Sequence, residues 1–210
     1  MTVEVGDIIK SILDPLRIGG SGLNPFIDKL AGVVKTIYKT DSVDGKTVRK
    51  SFPVSCGLDY PECISNGRYK DLVPNSKLGC IVYLEDLGAR LTGTSSNKNE
   101  WKASYRLVGW VNQAKLGYND CSITSKIINT IIGTIPEGTF NSGIYQRGSI
   151  DILGQDPKSF DPFSKYSYEE EKTQYKMYPF DYFSLLIDVN FSVDKRCTVT
   201  FTKQAEVPCV

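Results

Sequence analysis

The sequence predicts an α+β fold, mainly an antiparallel sheet with an N-terminal helix and one Ile-rich helix packed on it. Three observations carry this expectation. Leu78 to Pro136 holds two strand-like runs, LGCIVYLEDLGARLTG and EWKASYRLVGWVNQAKLG, followed by SITSKIINTIIGTIPEG, whose isoleucines fall at helical spacing. The chain opens on an amphipathic helical stripe and closes on a long alternating strand from Phe183 to Val193. At 210 residues the chain is long enough for one well-buried core, so one elaborated domain over 1–210 is expected.

In chain order, Val5, Ile8, Ile9, Ile12, Leu13 and Leu16 follow the i, i+3, i+4, i+7 template of an amphipathic helix, which stops at IGGSG. Asn24 offers an N-cap with Pro25 after it, and Phe26, Ile27, Leu30, Ala31 and Val34 predict a second short helix. VVKTIYKT and KTVRKSFPV flank DSVDG and predict a protruding hairpin arm over 34–54, with a loop longer than two residues. Residues 56–77 are dense in Gly, Pro, Asn, Asp and Ser and read as an irregular connection.

In the second central strand Trp101, Ala103, Tyr105, Leu107 and Val111 alternate with Lys102, Ser104, Arg106 and Asn112. Val108 and Trp110 break the alternation, which predicts that the second face of the sheet is partly covered. The helix over 122–135 buries Ile123, Ile127, Ile128, Ile131, Ile132 and Ile135, with Asn119, Asp120 or Ser122 as cap and Gly133 and Pro136 as terminators. Residues 143–153 read as a further strand, and 155–182 as an extended insertion, polar and rich in Tyr and Pro. In the last long strand Phe183, Leu185, Ile187, Val189, Phe191 and Val193 share one face, after which DKRC turns the chain and TVTFT returns antiparallel.

The balance of 25 Lys and Arg against 24 Asp and Glu gives a net charge of +1, which argues against sequence-independent duplex binding through a broad basic face. No apolar run approaches the roughly 20 residues needed to span a bilayer, and MTVEVGDIIK carries an acid where an export signal has basic residues. No membrane association and no export signal are expected. The six cysteines, Cys56, Cys63, Cys80, Cys121, Cys197 and Cys209, are irregularly spaced and read as free thiols. No pair has CxxC spacing and the chain has no His, so neither a metal site nor a cofactor is expected, and Ser-His or Cys-His nucleophiles are excluded.

Carboxylate chemistry is the enzymatic option that remains. Glu85 and Asp86 are adjacent on a strand, so their side chains point to opposite faces and do not converge on one atom. Glu169, Glu170 and Glu171 read as a solvated acidic cluster. Gly19, Gly20 and Gly22 lack the preceding strand and the lysine of a phosphate loop, so they read as a hinge. Trp101, Lys102, Tyr105, Arg106 and Trp110 have the composition of a nucleic-acid stacking surface, but alternation splits them between a packed and a polar face. Tyr and Phe give large contact area with few rotors, so the candidate protein-contact residues are Tyr38, Phe52, Phe160, Phe163, Tyr166, Tyr168, Tyr175 and Tyr178. No catalytic, cofactor-binding or metal-binding residue is assigned.

Helix, hairpin, irregular loop, strand CIVYLED, strand EWKASYRLVGWVN, helix SITSKIINTIIGTIP and long strand PFDYFSLLIDVNFSV make an order that resembles the tail terminator and neck ring proteins, the head–tail connectors, of tailed bacteriophages. The resemblance covers residues 5–16 and 78–202. The second helix, the arm at 34–54 and the insertion at 155–182 depart from it and make this chain larger than typical members. The resemblance implies a tail-terminator-like fold and a non-enzymatic virion protein of the neck or tail, assembled in the bacterial host cytoplasm. It also implies a homo-oligomeric ring, six- or twelvefold, touching neck, portal or tail proteins, with DNA passing through its lumen without specific binding. The alternatives from the residues are a carboxylate-dependent hydrolase and a secreted or surface binding module whose cysteines are oxidised.

Overall fold

The apolar stripe at the N-terminus forms helix α1 (Thr2–Leu13), which buries Val5, Ile9 and Leu13 and runs into a tight 3-10 turn at Asp14–Leu16. Seven strands follow it: β1 (Lys29–Val43), β2 (Lys46–Ser55), β3 (Cys80–Thr94), β4 (Lys98–Asn112), β5 (Thr139–Ser142), β6 (Tyr145–Gln155) and β7 (Phe180–Asp194), with helix α2 (Ile123–Thr134) between β4 and β5. This computed structural model describes residues 2–22, 24–43, 46–56, 68–117, 122–136, 138–157, 161–167 and 175–195.

The strands make one sheet in the order β2-β1-β3-β4-β7-β6-β5. All neighbours are antiparallel except β1 and β3, so the sheet is mixed but mainly antiparallel, as expected. The fold class is α+β with sheet dominant. β7 has β4 on one side and β6 on the other, which leaves it no free edge. The expected return strand TVTFT lies outside the described residues.

Both helices cover the same face of the sheet. Val5, Ile9 and Leu13 of α1 and Ile123, Ile127, Ile128 and Ile131 of α2 share one core with Val82, Leu84, Tyr105, Leu107, Leu185, Ile187 and Val189. Gly6 lets α1 sit against β1, because a Cβ there would overlap the Val33 side chain. On β4, Gly109 faces Phe183 of β7 directly, and the Phe183 ring occupies the space a Cβ would need. The phenol of Tyr105 donates to the Thr2 carbonyl at 2.6 Å and that of Tyr145 to Glu4 Oε2 at 2.6 Å, tying the first turn of α1 to the sheet.

Several expectations need correction. The second helix over 24–34 does not form: Pro25 and Phe26 have no regular structure, Ile27 bridges to Arg17, and β1 begins at Lys29. The pairing of β1 with β3 shifts register between Leu30 and Val33. This irregularity breaks the two-residue alternation, so Leu30 and Val33 reach one core while Ala31 and Val34 reach the other, a spacing that imitates a helix. The predicted hairpin is present, but Val43 pairs with Lys46, so its connection is two residues long. In α2, Gly133 lies inside the helix; the end is set by Ile135, held extended ahead of Pro136. Ser122 occupies the N-cap without a side-chain capping bond, and Asn119 and Asp120 lie outside the described residues. Ile132 is 39% exposed, on the outer side of the helix.

Candidate functional site

The second face of the sheet carries the chain's remaining chemistry, and it divides into an apolar half and a polar half. Ile81 and Tyr83 of β3 and Val108 and Trp110 of β4 form the apolar half, roofed by Leu72, Phe163 and Tyr166 with Tyr175, Phe180 and Tyr182 packed alongside. The Trp110 indole N–H donates to the Tyr175 carbonyl at 2.8 Å and its ring stacks on Phe180 at 5.3 Å. Residues 161–167 also close on the edge strand, where the Ser167 N–H donates to the Ser51 carbonyl at 2.9 Å and the Ser51 N–H to Ser167 Oγ at 3.1 Å.

A charged network marks the border between the halves. Arg106 Nε donates to Asp156 Oδ2 at 2.8 Å and its Nη1 reaches Glu85 Oε2 at 3.5 Å. Lys165 Nζ lies 2.8 Å from Glu85 Oε1, the Tyr166 phenol donates to the same oxygen at 3.2 Å, and Ser184 Oγ donates to Asp156 Oδ2 at 2.8 Å. Burial, reinforced by the Glu85 carboxylate, pushes the Tyr166 phenol up, which keeps it a donor. Glu85 and Asp156 both accept from one guanidinium, and Glu85 also ties Lys165 and Tyr166 of the roof to the sheet. Asp86, on the opposite face as expected, accepts the Gly88 N–H at 2.8 Å in a bulge.

Beyond this border the face is open. Lys102, Ser104, Leu186 and Asp188 floor a groove of about 470 Å³ with Leu87, Arg90 and Leu153 at its rim. Asp188 is buried and accepts from Ser104 Oγ at 2.6 Å and from Lys102 Nζ at 2.5 Å. Burial alone would raise its carboxyl, but those two hydrogen bonds together hold it below its ordinary value. Leu153, 60% exposed, and Leu87 are apolar where alternation calls for polar residues. A second cleft, about 660 Å³, runs between α1, the base of the β1–β2 hairpin and Asp71, with Asp7, Lys10, Asp14 and Lys29 on its walls. Asp14 is taken by Arg17 at 2.7 Å, so the cleft presents mixed charge and no converging set. Among the described residues no three His, Cys, Asp or Glu side chains converge as metal ligands.

The expected contact residues fall into three groups. Phe163 and Tyr166 are buried in the roof and Tyr175 is half-buried there. Phe52 is buried with Ile37 and Val54 against Tyr69, ring centroids 5.0 Å apart. These four correct the expectation of an outward contact surface: the apolar strip on β3 and β4 needs a cover, and the nearest aromatics supply it. Tyr38 and Tyr178 are exposed, at 55% and 69%. Phe160 and Tyr168 lie outside the described residues, as do Glu169, Glu170 and Glu171.

Trp110 and Tyr105 are fully buried on opposite faces, so the basic-aromatic run on β4 is core and ion pairs. Gly19, Gly20 and Gly22 turn the chain from α1 into the approach to β1. Cys56 and Cys80 are free thiols, both pushed up, chiefly by burial, and the other four cysteines lie outside the described residues. Sequence reading missed the groove of Leu87, Lys102, Leu153 and Asp188; the signal for it was the pair of leucines at polar positions. No known protein-family model matches this chain, and no curated protein matches its sequence.

Proposed function

We propose that the protein is a non-enzymatic structural component of a tailed-phage virion, a tail terminator or head–tail connector that forms a ring around the DNA channel. The observation that carries this reading is the placement of α2: it precedes the long strand β7, lies with α1 on one face of the sheet, and leaves β7 paired with β4. In the family the chain resembles, an N-terminal helix precedes the sheet and a helix before the last strand packs across it, which supports this reading, with β5 and β6 inserted here between α2 and β7. The carboxylates of the second face support a structural role, since Glu85, Asp156 and Asp188 each hold a basic side chain. The groove between Leu87 and Leu153 offers exposed apolar side chains to a neighbouring copy, and a head-to-tail contact that closes by rotation gives a ring. Native mass spectrometry and negative-stain imaging of the purified chain test this: a closed ring, six- or twelvefold, is expected. A chain that remains monomeric at its highest soluble concentration, with crosslinking also yielding monomer only, overturns the reading.

A further inference from the structure

We infer that the β1–β2 hairpin is a nucleic-acid contact arm whose basic and aromatic side chains take the phosphate backbone of duplex DNA. β1 leaves β3 after Val34, and from Lys35 to Lys50 the two strands pair with each other, with no other strand alongside among the described residues. Such a two-stranded ribbon has the width that the major groove admits. Its sequence over 35–50 carries five basic residues, Lys35, Lys39, Lys46, Arg49 and Lys50, against two acids, Asp41 and Asp44. The near-neutral charge of the whole chain therefore hides a local basic excess.

Both faces of the ribbon carry basic side chains beside aromatic rings. On one, the Arg49 guanidinium lies over the exposed Tyr38 ring at 3.9 Å from its centroid. A guanidinium stacked on a ring face can still use its N–H edge to grip a phosphate with two hydrogen bonds. On the other, Lys39 and Lys50 are direct cross-strand partners, and Lys39 and Lys70 both reach the Tyr69 ring, at 5.8 and 5.9 Å. Tyr38 offers a further apolar surface to sugar or base. Anchoring comes from the hairpin base, where Ile37, Phe52 and Val54 are buried.

The inference is independent of the ring reading, because DNA contact and oligomeric state are measured separately. Fluorescence anisotropy of the full chain with a labelled random-sequence duplex tests it, over a salt series and beside vesicles of anionic phospholipid. Binding is expected to weaken with salt, with a slope of log K on log salt of about −2 to −3, at about −0.9 per phosphate contact. Arg49→Glu with Lys39→Glu should flatten that slope by roughly two units and weaken low-salt binding at least about tenfold, with circular dichroism and oligomeric state unchanged. Absence of duplex binding at low salt, binding unaffected by the double variant, or a variant effect confined to the vesicles would overturn the inference.

Discussion

Single side chains in this protein do two opposite jobs on the two faces of one sheet. On the helix-covered face they fill space: Phe183 lies over Gly109, and Phe140 over Gly148, each a ring placed against the glycine opposite it on the next strand. On the polar half of the other face they neutralise one another. Asp188 is held charged by Lys102 and Ser104, below its ordinary value of 3.8. A carboxyl whose folded value is lowered contributes stability above its unfolded value, and that stability is lost as pH falls through the lowered folded value. Urea midpoints measured from neutral pH down through pH 3.8 should therefore fall for the wild type, and Asp188→Asn should remove part of that fall. At neutral pH the variant should be less stable, since Lys102 keeps its charge without its partner. An unchanged acid profile would show that the carboxyl titrates alike in both states.

At the scale of elements, α2 shows how much a helical stripe fixes by itself. Ile131 and Ile132 are neighbours in sequence, yet one is fully buried against the sheet and the other 39% exposed. Ile131→Ala should cost about 2–5 kcal/mol and Ile132→Ala no more than about 0.5–1 kcal/mol, measured by chemical denaturation. Equal costs would mean that α2 is rotated from the position described here. The described part of the insertion expected over 155–182 teaches the converse. Its composition suggested an outward surface, whereas Phe163 and Tyr166 close over Tyr83 and Trp110, and Lys165 and Tyr166 fasten the cover to Glu85. Aromatic content signals large contact area without naming the partner, and here the partner is the same chain.

At the scale of the whole molecule, helices close one face of the sheet, a roof closes half of the other, and the leucine-rimmed groove remains open. If that groove receives the next copy in a ring, Leu87→Glu with Leu153→Glu should abolish assembly in native mass spectra while leaving thermal stability nearly unchanged, because both side chains are exposed. Rings that persist in this variant would move the interface elsewhere. The sequence by itself determined α1, α2, the hairpin and strands β3, β4 and β7, because those segments repeat at 3.6 or 2 residues and bury the faces that their periods mark. It also gave warning of the second face's cover through Val108 and Trp110. Tertiary structure alone decided that β1 runs parallel to β3, that Leu30 to Val34 is strand despite helical spacing, and that Glu85 and Asp156 meet on Arg106. Those outcomes depend on which strands become neighbours and in what register, and contacts between distant parts of a chain leave no local period to read.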